Sequence, residues 1–111
     1  MTPLEVAKFL DENTPSDIDT LHDLKPVYIK WLDSEQPNPD WEWLEDLDER
    51  AGIEIETLGW LVYHKKGAVG VALSKGRSST RGKLMTHGLL RIPAIAIIHI
   101  VLAVMPGKEH A

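Results

Sequence analysis

Cysteine is absent from this chain of 111 residues. Without thiols, the protein has no disulfide framework, no thiolate metal site and no cysteine nucleophile. The absence fits a reducing compartment, and we expect a cytoplasmic protein.

Long uninterrupted apolar runs are also missing. The stretch up to Thr14 carries acidic residues, so we expect no signal peptide. Residues 89–106 are the most apolar part, but Arg91, Pro93 and His99 interrupt them well short of the roughly 20 apolar residues that a spanning helix needs. Their β-branched side chains favour a buried strand, and we expect no membrane partner.

Acidic side chains are scarce in the second half of the chain. Residues 1–58 hold 16 acidic and 4 basic side chains, a balance of −12. Residues 59–111 hold 1 acidic and 8 basic side chains, a balance of +7. This division predicts either pairing between the halves, within or between subunits, or a basic face kept for an anionic ligand. The sequence leaves both open.

Metal-binding and catalytic patterns are missing too. The five histidines are His22, His64, His87, His99 and His110. No two of them stand at i, i+3 or i+4 spacing, so we predict no metal and no cofactor. A meeting of His64 and His87 across strands is the one alternative. Asp33 stands apart among the acids because it ends a predicted strand, and we expect it to cap the following turn. We therefore predict that the protein is not an enzyme.

A basic, hydroxyl-rich loop is present: SKGRSSTRGKL, residues 74–84. It is close to a phosphate-binding P-loop, but five residues instead of four separate Gly76 from Gly82, and Leu84 stands where a hydroxyl is needed. Its cations and hydroxyls are still the groups that recognise phosphate. We predict ligand binding by Lys75, Arg77, Ser78, Ser79, Thr80, Arg81 and Lys83. A solvated hairpin loop is the alternative.

Four tryptophans accompany this loop. Trp31 and Trp60 lie inside predicted strands, and we expect them in the core. Trp41 and Trp43 are two residues apart on a predicted helix and cannot share a face. One should pack on the domain, and the other should lie at an interface or over a ligand. We include both in the predicted ligand site, as an aromatic plate opposite the loop.

Two short helices are predicted before the β region. The Thr-Pro-Leu-Glu start at residues 2–5 predicts a capped helix to about Asn13. Its apolar stripe consists of Leu4, Ala7 and Leu10. A second start at residues 14–17 predicts another helix before residue 25. Its apolar residues at helical spacing are Ile18, Leu21 and Leu24.

Five strands are predicted after these helices, at residues 27–33, 53–65, 68–74, 83–93 and 97–104. An acidic helical insertion at about 38–52 separates the first two. Gly59 should mark a bulge or a close approach, and Lys66-Gly67 a turn. The fold class predicted is α+β, mainly β: a small five-stranded SH3/Sm-like barrel. We divide the chain into an N-terminal helical extension (1–25), the barrel domain (26–106) and a tail (107–111).

The last strand is apolar on both faces. Ile98, Ile100 and Leu102 alternate with His99 and Val101. A strand covered on both faces predicts contact between subunits. We therefore expect a homo-oligomer that forms through the last strand and the N-terminal helices.

Three short patterns resemble the core of small phage and prophage proteins. They are W-x-D-S in VYIKWLDS, G-W-L-V in ETLGWLVYHKKGAVGVALS, and I-P-x-x-x-I in RIPAIAIIHIVLA, and together they cover residues 27–103. The resemblance implies a phage-type β domain and, for a family without an established activity, carries no catalytic residues across. It also implies the cytoplasm of an infected or lysogenic host.

Three functional classes follow in order of preference. The first is a binder of a small anionic, nucleotide-like ligand, similar in general style to the phage sponge proteins that sequester host immune signalling nucleotides. The second is a protein–protein module or inhibitor of a host defence protein that acts through the acidic surface. The third, nucleic-acid binding, is disfavoured because a phosphate backbone would meet the acidic insertion.

Overall fold

The computed structural model of the protein describes residues 1–19, 21–33, 41, 43–46 and 52–104. Helix α1 spans Pro3–Asn13. The five strands are β1 Lys25–Asp33, β2 Ile53–Lys65, β3 Ala68–Arg77, β4 Leu84–Pro93 and β5 Ile97–Leu102. Short 3₁₀ turns occupy Leu21–Asp23, Leu44–Asp46 and Ala94–Ala96. The mainly β class and the five predicted strands are confirmed.

Helix α1 begins with the predicted capping box. The Thr2 hydroxyl accepts from the Glu5 N–H at 3.2 Å, and the Glu5 carboxylate accepts from the Thr2 N–H at 3.0 Å. The second bond stabilises the ionised carboxylate and so lowers the pKa of Glu5. Val6 and Leu10 are buried, whereas Leu4 is 83% exposed. The predicted apolar stripe is therefore correct at Leu10 and wrong at its other members.

The predicted second helix is not found in the described residues. Residues 14–19 form bends and extended backbone, and a 3₁₀ turn follows at Leu21–Asp23. A carboxylate oxygen of Asp23 accepts from the Asp19 N–H at 2.8 Å. Such a bond satisfies a backbone donor locally and competes with helix formation. Leu24 is buried, so the apolar spacing here reflects core packing of a connection instead of a helix face.

The strands form one antiparallel sheet in the order β4-β3-β2-β1-β5. β1 pairs with β2 along its whole length and with β5 on its other side. The β2–β3 hairpin turns at Lys66 and Gly67, whose φ angles are 50° and 75°. Two consecutive residues with positive φ are typical of a tight hairpin turn, and the predicted turn is confirmed.

Closure of the sheet into a barrel is not found. A barrel closes when its two edge strands pair with each other. In the described residues β4 and β5 are the two edges, at opposite ends of the strand order. The structure is thus an open sheet.

The connection from β1 to β2 begins and ends at residues that pair with each other in the sheet. Asp33, the last residue of β1, is in register with Ile53, the first of β2. Gly52 fits beside this pair because a Cβ there would lie 2.6 Å from the Asp33 carbonyl oxygen. Most of the acidic helix predicted at 38–52 lies outside the described residues, which here include a 3₁₀ turn at Leu44–Asp46.

The core contains buried side chains from α1 and all five strands. Its fully buried members include Leu10, Ile29, Leu61, Val71, Ile92 and Ile100. Trp31 lies in this core as predicted, and its indole N–H donates to the hydroxyl of buried Thr57 at 3.0 Å. The hydrogen bond allows the indole to be buried without an unsatisfied donor.

Gly59 lies at the predicted close approach within β2. A Cβ on this residue would stand 2.5 Å from Val71 Cγ1 and 2.7 Å from the carbonyl oxygen of Ala72. The register shift of β2 lies further on, between Leu61 and Tyr63. Gly59 therefore lets β3 pack closely, and it is not itself the bulge.

β3 and β4 continue as a pair beyond β2. The β2–β3 pairs end at Trp60 and Ala72, whereas the β3–β4 pairs run on to Arg77 and Leu84. We refer to residues 73–88, two strands and their connecting turn, as the β-ribbon. The predicted ligand loop, residues 74–84, consists of the last four residues of β3, the turn at residues 78–83 and the first residue of β4.

Candidate functional site

The turn at residues 78–83 of the β-ribbon is closed by hydrogen bonds within itself. The Ser78 N–H donates to the Lys83 carbonyl oxygen at 2.9 Å, and the Gly82 N–H donates to that of Ser78 at 2.8 Å. The Ser78 hydroxyl accepts from the Arg81 N–H and pairs with the Thr80 hydroxyl, both at 3.2 Å. Ser78 therefore organises the turn, which makes the predicted loop a defined structure.

Arg77 supports this turn from its base. Its Nη1 donates to the Gly82 carbonyl oxygen at 2.7 Å. A guanidinium has five N–H donors, so this bond leaves others for a ligand. Among the predicted ligand residues, Arg77 thus shares with Ser78 a role in positioning the turn.

Three exposed side chains complete the turn: Ser79, Arg81 and Lys83. None of them has a hydrogen-bond or ion-pair partner among the residues that the structure describes. An exposed guanidinium and an exposed ammonium in one turn can both form charge-assisted hydrogen bonds to phosphate oxygens. The turn therefore presents the chemistry that the sequence predicts for an anion.

The aromatic ring that meets a cation of the β-ribbon is Trp60. The Lys75 ammonium lies 4.0 Å from the centre of the Trp60 ring, well inside the range of a cation–π interaction. The prediction that Trp60 belongs to the core is wrong. Leu61 is fully buried, and neighbouring residues of a strand point to opposite faces, so Trp60 lies on the other face of the sheet.

Trp41 and Trp43 are not brought to the β-ribbon. Trp41 is 102% exposed and Trp43 is 76% exposed, so neither packs on the sheet. Leu44, next to them, is also exposed. The alternation of side chains along β2, with Leu61 pointing into the core, is the signal that could have identified Trp60 as outward-facing.

An apolar groove of about 250 Å³ lies beside Trp60. Its lining includes Pro26, Leu58, Trp60, Leu73 and Val104. Leu58, Leu73 and Val104 are more than half exposed, which is unusual for large apolar side chains. Trp60 lines the groove, and the Lys75 ammonium lies over its ring. The groove and this cation therefore form one continuous surface.

The exposed face of β1 and β2 changes from polar to apolar along the strands. Near the insertion it is polar: Lys30 pairs with Glu54 at 2.6 Å, and the Tyr28 hydroxyl donates to Glu56 at 2.6 Å. The bond to Glu56 raises the pKa of Tyr28 because it stabilises the protonated phenol. At Leu58 the face becomes apolar, so the groove begins where this polar network ends.

Charge is distributed in favour of an anion at the β-ribbon. The ion pairs of Lys8 with Glu12 and of Lys30 with Glu54 both lie within the acidic half. The span from residue 59 to residue 104 contains no acidic residue at all. The β-ribbon therefore has a positive field with no carboxylate of its own.

A metal centre is not apparent in the described part of the chain. No three histidine, aspartate or glutamate side chains there lie close enough to hold an ion. His64 is in register with Val69, which pairs with Ile92, so it is offset from His87 by five residues, about 17 Å along the strand direction, and by two strands across the sheet. The alternative of a histidine pair across strands is thus wrong.

In comparisons with protein-family models, curated proteins and solved structures, the chain matches none. Among the described residues, no helix is long and apolar enough to cross a membrane. The site's own chemistry must therefore carry any functional conclusion.

Proposed function

We propose that the protein is a non-enzymatic binding protein that sequesters a small anionic, nucleotide-like ligand on the β-ribbon. The observation that carries the proposal is the Lys75 ammonium, 4.0 Å from the centre of the Trp60 ring. In β3, Lys75 stands two residues from Leu73 of the groove and two residues from Arg77 of the turn. A ligand with an apolar planar part and an anionic part would use both.

The groove suits the planar part of such a ligand. A nucleobase can pack on Leu58, Leu73 and the exposed surface of Trp60, since stacking and apolar contact do not require a particular base. Lys75 would then face the first phosphate. Trp60 takes the aromatic role that the sequence predicts for Trp41 and Trp43.

The turn suits further phosphates. A strand rises about 3.3 Å per residue, so Leu73 and Arg77 lie about 13 Å apart along β3. That distance exceeds the span of one phosphate and favours a ligand with several, such as a linear or cyclic dinucleotide. Arg81 and Lys83 would bind the distal phosphate, and Ser79 would add a hydroxyl.

The biological setting belongs to the same proposal. The resemblance of residues 27–103 to small phage proteins supports an anti-defence role in the cytoplasm of the host. The strand order, and the 3₁₀ turn at Ala94–Ala96 before β5, support a partly open SH3/Sm-like barrel. Homo-oligomerisation through β5 and α1 remains part of the proposal.

Isothermal titration against linear and cyclic signalling nucleotides tests this function. We expect saturable binding with the ligand recovered intact, and a roughly 10- to 100-fold weaker affinity in Arg81→Ala and Lys83→Ala, since each loses a charge-assisted bond of about 1.5–3 kcal/mol. Arg91→Ala is the matched control, because Arg91 is an exposed cation at the opposite end of β4. Unchanged affinity in both turn variants, or a cleaved ligand, would contradict the proposal.

The second candidate, a protein–protein module, is favoured by the exposed rings of Trp41 and Trp43. Exposed tryptophans beside acidic residues are typical anchors of protein interfaces. The same titration separates the candidates: a panel that gives no binding heat with any nucleotide would leave this second function in place of the first.

A further inference from the structure

The two edge strands of the sheet expose apolar side chains. On β4, Met85 is 57% exposed and Leu89 is 47% exposed. On β5, Val101 is 37% exposed and Leu102 is 49% exposed. Each edge therefore combines exposed apolar side chains with backbone groups that pair with no described strand.

The two edges have few of the features that normally keep a sheet from pairing with another chain. Proteins protect edge strands with lysines, prolines inside the strand, or covering segments. β5 contains no charged residue, and in β4 the one charged side chain is Arg91. Met1 covers the β5 edge at Ile98 and Ile100, in part through its thioether, which is a weak acceptor. No described segment hydrogen-bonds to the outer edge of β4, whereas pairing at the β5 edge requires the partner strand to displace Met1 from these two backbone groups.

The charges beside the two edges are opposite. The β3–β4 hairpin, residues 68–93, has five basic and no acidic side chains. Helix α1, which packs against β5, has three acidic side chains and one basic side chain. Pairing β4 with β4 would bring two basic hairpins together, and pairing β5 with β5 would bring two acidic helices together. Pairing β4 with β5 places opposite charges side by side.

We propose that the β4 edge of one copy of the protein pairs with the β5 edge of a second copy. The interface is then heterologous, with different surfaces on the two partners, and repeats from copy to copy. The turn at residues 78–83 contributes cations to the charge of the hairpin but does not belong to the paired edge, so the interface forms without the proposed ligand.

A pair of matched variants tests the proposal. Leu89→Lys and Leu102→Lys place a charge at nearly equally exposed positions on the two edges. If β4 pairs with β5, each variant alone is a monomer by light scattering. Mixed one to one, they form a heterodimer by native mass spectrometry, because Leu89→Lys still has an intact β5 edge and Leu102→Lys an intact β4 edge. Leu44→Lys, at an exposed position in the insertion, should assemble like the wild type.

Other outcomes would overturn the heterologous interface. If one variant keeps the wild-type assembly while the other is a monomer, the interface joins two identical edges. A wild-type protein that is monomeric at high concentration would exclude all three pairings. Circular dichroism establishes that each variant is folded. Met85→Lys with Val101→Lys provides a second pair should either first variant unfold. Raising the salt concentration should weaken wild-type assembly, since the attraction between the basic hairpin and the acidic helix favours the β4–β5 pairing.

Discussion

Replacing Gly59 with alanine should destabilise the protein, whereas the same replacement at Gly76 should not. At Gly59 the new Cβ would stand 2.5 Å from Val71 Cγ1 and 2.7 Å from the Ala72 carbonyl oxygen. Val71 and Ala72 are both buried, and Ala72 is held in register with Trp60, so neither can move without disturbing the sheet. At Gly76 a Cβ would have nothing within 4 Å.

The two replacements change the free energy of unfolding through one effect that they share and one that is specific to Gly59. Both reduce the conformational entropy of the unfolded chain, which stabilises the folded state by about 0.4–1 kcal/mol. Gly59→Ala adds an overpacking cost of about 1–3 kcal/mol, because buried atoms must shift. The difference in free energy of unfolding between the two variants should therefore be about 1–3 kcal/mol, with Gly76→Ala the more stable.

Urea unfolding at one fixed protein concentration measures this difference. With a slope of about 2 kcal/mol per M, we expect the two midpoints to lie about 1 M apart. The slopes should agree, since neither change alters the surface exposed on unfolding. Equal midpoints would refute the close packing of β3 on β2, and with it the shape of the groove beside Trp60.

Two further predictions concern α1 and the core. Thr57→Val should cost about 1–3 kcal/mol, because it leaves the buried indole N–H of Trp31 without an acceptor. A double-mutant cycle with Trp31→Phe should recover part of that loss, and strictly additive losses would contradict the hydrogen bond. Because the pKa of Glu5 is lowered from 4.5, its contribution to stability should be complete above that pH and lost as the pH falls through the lowered pKa. Unfolding curves of the wild type and Glu5→Gln should thus converge toward low pH, and a constant difference would refute the role of the carboxylate.

Local signals in the sequence predicted most of the fold. The capping box at Thr2 and Glu5 and the turn at Lys66-Gly67 both depend on residues close together in the chain. The prediction of a second helix was wrong because the Asp23 side chain satisfies a backbone donor. The spacing of apolar residues cannot reveal this competition. The prediction of a closed barrel was wrong because pairing of the two edge strands depends on how strongly the whole sheet curves, which no local pattern in the sequence specifies.

Less of the candidate site than of the fold could be predicted from the sequence. The turn at residues 78–83 was predicted because its cations and hydroxyls are contiguous in sequence. The groove was not predicted, since Pro26, Leu58, Leu73 and Val104 come from four separate segments that meet in the sheet. The contact between Lys75 and Trp60 likewise depends on where β3 leaves β2.

The position of β5 beside β1 has a consequence for the order of folding. β1 to β4 pair with their neighbours in sequence, whereas β5 must return to β1 across the whole domain; Val27, for example, pairs with Leu102. Contacts of such long sequence separation form late, because the entropy of loop closure is lost before they contribute. Ile97 and Ile100 of the core arrive with this last strand. During synthesis, β1 therefore stays with one open edge until the final strand is available.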